Sequence, residues 1–283
     1  MDEDVIISAD GLVKSFGRNV AVNGIDIRVR KGEVFGFLGP NGAGKTTTVR
    51  LLTTMDLPDK GSITVAGYDT SKDYVEARRH IGIIQQQHSL DKDLSVKENI
   101  IHHALMQGLS MKESKKRMME LAETMELTDR LDELISSLSG GWKKRVSIVC
   151  SMIHHPDILF MDEPTTGLDT QSRNLLWRMI RELNRSGTTI FLTTHYIFEA
   201  ESLCDRIAII DNGSIIAEGT PSELISRLGN VALVSADDDQ DIRFFPTREE
   251  AKAAANGMDA DYNMVIRRTT LEDVFLELTG RSI

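Results

Sequence analysis

No stretch of this sequence approaches the ~20 consecutive apolar residues that cross a bilayer, and its longest apolar runs are strand-sized. The opening segment, MDEDVIIS, lacks the basic and apolar regions of a secretory signal, so a cytosolic chain is expected. Cysteine is scarce, with only Cys150 and Cys204. Two sulfurs make a poor metal site and a cytosolic disulfide is disfavoured; each cysteine lies in an apolar helical pattern and reads as a core thiol. Net positive charge is missing too: 43 acids against 33 Lys and Arg leave −10. Nucleic-acid binders present basic surfaces, so the balance weighs against a DNA or RNA partner. Internal repeats and low-complexity linkers are absent. With 283 residues, one large domain plus a small appendix is the natural division.

Residues 33–38 read as a strand running into a glycine-rich turn and then an apolar-periodic helix over 45–55. Residues 19–29, 62–66 and 81–84 read as further strands. From about 89 to 155 the pattern is helical. Ser95 with Glu98, and Ser110 with Glu113, have capping-box spacing and predict two helix starts, with Gly108 as the stop between them. Residues 158–161 form a continuous apolar run of the kind a buried parallel strand shows, and Asp162 and Glu163 end it. A helix over 171–185, a strand over 188–192 and a short helix after His195 follow. A hairpin over 206–218 turns on Asp211-Asn212-Gly213. Thr220, Pro221 and Glu223 open a helix that Gly229 closes. Beyond it the texture changes: residues 231–283 hold eleven acids and six bases, half the net charge. An acidic turn at Asp237-Asp238-Asp239 separates two short strand candidates, then come a helix over 247–256, a strand over 264–267 and a helix over 270–278.

The segment GPNGAGKT, residues 39–46, has two glycines five apart followed by Lys and Thr. A triphosphate needs backbone N–H groups at close range, a helix N-terminus and a positive charge, and this loop supplies all three. A chance match in a chain of this length has a probability of roughly one in a hundred from background frequencies. A glycine turn without function would explain the glycines but not the pair Lys45-Thr46.

The segment LSGGWKKR, residues 138–145, resembles the signature motif of ABC ATPases. With GPNGAGKTT before it, and ILFMDEPTTGLD (158–169) and TTH (193–195) after it, order and spacing match that family over about four-fifths of the chain. The resemblance implies an α/β P-loop cassette with a mixed sheet core, an antiparallel β subdomain and a helical subdomain inserted at about 89–155. On this reading residues 1–229 form the ATPase domain and 230–283 a small α+β C-terminal domain, pairing or regulatory.

Roles follow residue by residue from the resemblance. Gly39, Pro40, Asn41, Gly42, Ala43, Gly44, Lys45, Thr46 and Thr47 would hold the phosphates of ATP. Thr46 and Asp162 would hold Mg²⁺, joined by Gln86, which family spacing selects from the run Gln85-Gln86-Gln87. Glu163 resembles the general base and His195 the switch histidine. Phe16 falls where the family places an aromatic against adenine. Ser139, Gly140 and Gly141 at a helix start would form a second anion site that closes over the ATP of another subunit. One phosphate loop and one signature per chain imply two chains, and a complete motif set permits a homodimer. Trp142 departs from the family, which usually has Gln there; a packing role is the plainer account.

The tail segment TLEDVFLELTG, residues 270–280, resembles the drug- and antibiotic-exporter ATPases, whose permeases are separate membrane proteins of the ABC-2 type. That implies a Mg²⁺-dependent ATPase at the cytoplasmic face of the membrane, driving export through another chain. A capped amphipathic helix packing on its own strands fits the same residues, and a soluble ABC ATPase with an assembly or regulatory role is the alternative.

Overall fold

The protein is described here by a computed structural model, which covers residues 4–84, 90–235, 242–256 and 264–280. The chain begins with β1 (Val5–Phe16), β2 (Asn19–Arg30), β3 (Val34–Leu38), α1 (Lys45–Leu52), β4 (Lys60–Val65), β5 (Tyr68–Asp69), α2 (Tyr74–Arg79) and β6 (Ile81–Ile84). A helical block follows, made of α3 (Val96–Met106), α4 (Met111–Thr124) and α5 (Gly140–Met152). The core then resumes with β7 (Ile158–Asp162), α6 (Thr170–Arg185), β8 (Thr189–Thr194), α7 (Ile197–Leu203), β9 (Arg206–Asp211), β10 (Ser214–Gly219) and α8 (Pro221–Leu228). The tail adds β11 (Val231–Ser235), β12 (Ile242–Phe245), α9 (Arg248–Asn256), β13 (Met264–Arg268) and α10 (Leu271–Thr279).

The central sheet has the order β10-β9-β3-β8-β7-β6. Its β9, β3, β8, β7 and β6 are parallel, and β10 closes it as an antiparallel hairpin. Strand side chains alternate between faces. In β3, Val34 and Leu38 join the core on the helical side, while Phe35 and Phe37 join the core under the second sheet. β7 repeats this with Leu159 and Met161 on one face and Ile158 and Phe160 on the other. Both faces are covered, which is why these strands read as unbroken apolar runs. Phe191 of β8 gathers Phe35, Phe37 and Phe160 at ring-centroid distances of 5.5, 5.7 and 5.3 Å. Gly36 is needed in that layer, since a Cβ there would sit 2.6 Å from Cys204 Sγ. Cys150 and Cys204 are both free and buried, as expected, and burial pushes each thiol well above its ordinary range.

A second, antiparallel sheet of order β2-β1-β4-β5 packs Ile7, Leu12, Ile25 and Ile27 over the aromatic layer together with Val49, Leu51 and Leu52 of α1. β1 was not legible in the sequence, because register shifts near residues 9–13 break its alternation and Gly11 turns there at φ 57°. Helix α1 ends before residue 55: Thr53 Oγ1 bonds back to Val49 O at 2.7 Å and Thr54 takes φ 60°.

The predicted caps of α3 and α4 both form. Ser95 and Glu98, and Ser110 and Glu113, exchange side-chain and backbone bonds, and Gly108 breaks the chain between them at φ 86°. In the tail, a three-stranded antiparallel sheet β12-β11-β13 carries α9. The acidic turn at 237–239 lies outside the described residues. Helix α10 packs on α7 and α8, and its Leu271, Val274 and Phe275 belong to the same apolar core as Ala200 and Leu203 of α7.

Candidate active site

Residues 39–44 connect the buried end of β3 to α1. A Cβ at Gly39 would lie 2.4 Å from Ile210 O, and one at Gly44 would lie 2.3 Å from Ala21 O. Gly44 also takes φ 108°, and as the N-cap of α1 it leaves the first turn without a side-chain acceptor. The loop thus presents helix N–H groups outward, as an anion site requires. Lys45 is buried and donates to Gly39 O at 2.8 Å and Pro40 O at 3.1 Å. Thr46 is exposed at the mouth, and Thr47 is half-buried beside it.

The carboxyl ends of β7 and β8 place the acids. Thr193 Oγ1 donates to Asp162 Oδ1 at 2.5 Å and accepts from Glu163 N at 3.1 Å. Glu163 N also reaches Thr193 O at 3.1 Å. Glu163 adopts φ 45°, a left-handed conformation that costs a residue with a Cβ about 1–3 kcal/mol and that its neighbours must enforce. The turn aims its carboxylate back at the loop: Oε1 lies 3.2 Å from Lys45 Nζ, and Oε2 lies 3.3 Å from His195 Nδ1. Thr166 Oγ1 donates to Oε2 at 3.3 Å. Burial works against the charge of Glu163, but the Lys45 ammonium and then His195 outweigh it and hold the carboxyl below its ordinary value. The His195 contact is at ion-pair distance, and among the described residues no aligned hydrogen bond reaches Nδ1. Its ring rests on Tyr196, centroids 4.1 Å apart.

Lys45, Asp162, Glu163 and His195 are therefore brought together as the sequence predicts. Gln86 lies outside the described residues. Phe16 stands apart, 51% exposed at the end of β1, with Lys14 Nζ 5.6 Å over its ring. The hairpin that carries it borders the loop through Ala21. Thr193, which the sequence reading assigned no role, is the hinge of the acid pair; its signal was a pair of hydroxyls, Thr193 and Thr194, ending a buried strand.

The signature residues form a separate surface. Ser139 caps α5 with extended backbone and no side-chain cap bond, and Ser139 and Gly140 are exposed. Among the described residues no hydrogen bond or ion pair joins them to Lys45, Glu163 or His195. Gly141 packs against α6, where a Cβ would lie 2.9 Å from Ser172 Oγ. Trp142 carries two guanidiniums on its ring, Arg130 at 4.2 Å and Arg145 at 3.9 Å. Arg145 in turn bonds Glu126 at 3.0 Å. The indole thus packs the signature helix onto the segment before it.

The ABC transporter family profile matches residues 22–166, about half of the chain. The chain belongs to the ABC transporter family. Along its first four-fifths it is similar to the linearmycin resistance ATP-binding protein of Bacillus subtilis, 43% identical over 229 residues, which are 81% of this chain and 74% of that one. It is also similar to the Nod factor export ATP-binding protein I of Ralstonia nicotianae, 40% identical over 304 residues, covering 98% of this chain and 95% of that one. Among solved structures it resembles an ATP-binding subunit of an ABC transporter, with a TM-score of 0.71, 29% identity and coverage of 78% of this chain and 92% of that chain. It also resembles a dimeric ATP-binding cassette in a post-hydrolysis state bound to ADP and Pi, with a TM-score of 0.69, 25% identity and coverage of 76% and 98%. This ABC protein is thus an ATP-binding and ATP-hydrolysing subunit on a cassette fold. Among its described residues no helix is long and apolar enough to cross a membrane.

Proposed function

We propose that this ABC ATPase is the motor of an exporter whose membrane-spanning part is a separate permease of the ABC-2 type. The observation that carries the reading is the likeness to a Nod factor export protein along 98% of the chain, tail included. The chain would then act at the cytoplasmic face, held there by its permease, as a homodimer. Residues 230–283 would serve as a C-terminal domain for pairing or regulation.

In this reading the loop amides of residues 39–44 and Lys45 bind the phosphates, Thr47 adds a hydroxyl, and Phe16 stacks on adenine. Glu163, ionised at neutral pH, accepts the proton of the attacking water. The buried Lys45 and His195 beside it fix its direction and charge, and His195 contacts the γ-phosphate as well as the base. The oxygen donors Thr46 Oγ1 and Asp162 suit a hard cation, with Gln86 as the third group; Mg²⁺ held there would neutralise charge on the β and γ phosphates. Ser139 and Gly140, exposed, with Gly141 half-buried beside them, suit the ATP of the second copy. One helix end gives only about 0.3–1 kcal/mol at an exposed site, so the contact gains strength when the facing subunit excludes water. Binding closes the pair, hydrolysis reopens it, and the segment from residue 86 to 108 passes the movement to the permease.

The experiment is co-purification of the tagged chain from native membranes, with ATPase assayed on the complex. The expected result is a multi-spanning partner that stimulates hydrolysis. Recovery only from the soluble fraction, with active ATPase and no membrane partner, would replace the exporter reading by an assembly or regulatory one.

A further inference from the structure

The residue after His195 turns back onto it. Tyr196 is half-buried, and its ring lies against the His195 imidazole with centroids 4.1 Å apart and planes tilted by 40°. Successive side chains of a strand point to opposite faces, so such a contact needs the chain to turn where β8 ends. Hydrogen bonds fix that turn on both sides of Tyr196. Its N–H donates to Thr194 Oγ1 at 2.9 Å, and its C=O accepts from Glu199 N at 3.1 Å and Ala200 N at 3.2 Å as α7 begins. A second contact comes from α6, where the Arg173 guanidinium lies over the Tyr196 ring with Cζ 5.2 Å from the centroid. Arg173 stands on a rigid base: Asp169 caps the helix by accepting from Ser172 N at 2.9 Å and Ser172 Oγ at 2.7 Å, and Leu176, Trp177 and Ile180 sink it into the core. Arg173 Nε is buried and makes no hydrogen bond among the described residues. Burying that N–H without an acceptor is unfavourable, so hydrogen bonding does not account for its place; the ring face, which attracts cations, does.

The imidazole itself stands beside the base, with His195 Nδ1 3.3 Å from Glu163 Oε2 and no aligned hydrogen bond to Nδ1 among the described residues. The χ2 torsion of a histidine is soft, so packing has to fix an orientation that a hydrogen bond does not. We propose that Tyr196 is a positioning residue for ATP hydrolysis: backed by Arg173, its ring sets the orientation of His195 toward Glu163 and so toward the phosphate being cleaved. The inference rests on the roles assigned above to Glu163 and His195. A misplacement of about 1 Å in such a geometry costs about a hundredfold in rate, and the phosphate loop is untouched, so the effect falls on turnover and not on nucleotide affinity.

The test is ATP hydrolysis by the full chain with Mg²⁺, in steady state for kcat and KM and under single turnover for slow variants. The variants are Tyr196→Leu, Tyr196→Phe, Arg173→Met, His195→Ala and the double variant of Tyr196→Leu with His195→Ala, each assayed well below its thermal midpoint. Tyr196→Leu is expected to lose about tenfold in kcat with KM within about twofold of the parent, and Arg173→Met about threefold in kcat. Tyr196→Phe keeps the ring for both neighbours, and its kcat is expected within about twofold of the parent. Because Tyr196 acts through His195, adding Tyr196→Leu to His195→Ala is expected to cost no more than about twofold further. Parent-like kcat in Tyr196→Leu or Arg173→Met would overturn the proposal, as would a loss in Tyr196→Leu that Phe does not restore. So would that loss repeated in full on the His195→Ala background, which would show that Tyr196 acts by another route. Parent-like turnover in His195→Ala would instead remove the histidine role on which the inference rests.

Discussion

Thr193 Oγ1 donates to Asp162 Oδ1 at 2.5 Å while accepting from the backbone N–H of Glu163 at 3.1 Å, so one hydroxyl of β8 sets both the acid that ends β7 and the acid that follows it. Thr193→Val keeps the shape and removes both bonds. Asp162 then loses its donor inside the protein, and the variant is expected to be about 1–3 kcal/mol less stable. Its hydrolysis is expected to need more Mg²⁺ for half-maximal rate, since the carboxylate is no longer held in place. Chemical unfolding and a Mg²⁺ titration of the ATPase check the two effects separately.

Glu163→Gln removes the proton acceptor and the charge facing Lys45 and His195. Turnover is expected to fall about 10²–10⁴-fold, the range of general-base catalysis. Nucleotide binding, measured by equilibrium titration, should persist, because the loop that holds the phosphates is untouched.

Trp142→Gln puts the usual family residue into the signature. It removes the ring on which Arg130 and Arg145 rest; each such contact is worth about 0.5–1 kcal/mol near the surface. A stability loss of about 1–2 kcal/mol is expected in urea unfolding. The KM for ATP should stay close to that of the parent, since Ser139 and the glycine amides are unchanged. A stable variant with a raised KM would show that the indole takes part in nucleotide binding.

Asp273 ties α10 to β13 within the tail. It accepts from Arg267 at 2.6 and 2.7 Å and caps α10 through Thr270 N at 2.8 Å. Burial raises its pKa, but the Arg267 and Thr270 bonds together prevail, so the folded value lies below 3.8. A depressed carboxylate contributes stability above its unfolded pKa and loses that contribution as pH falls through the folded one. Asp273→Asn is therefore expected to destabilise the protein by about 1–3 kcal/mol at pH 7. The difference from the parent should shrink as pH drops below 3.8. Unfolding midpoints of the two proteins across that range provide the measurement.

Much of the site was legible because its chemistry is local. Gly39, Gly44, Lys45 and Thr46 lie within one turn and one helix start, and the spacing itself describes the phosphate cradle. Asp162 and Glu163 announce themselves as acids ending an apolar run, and the caps at Ser95, Ser110 and Thr220 are four-residue signals. β1 was missed for the opposite reason: its bulge near Gly11 destroys the alternation that makes a strand readable.

The amino-acid sequence alone determined the family, the phosphate loop and the acids of the site, since each depends on a few neighbouring residues. Only the tertiary structure decided that Thr193 holds both acids, that Trp142 packs between two arginines and that α10 enters the core beside α7. Most of these contacts join residues well separated in sequence, and it is burial between packed elements, with the cost of leaving a polar group unpaired there, that makes them specific.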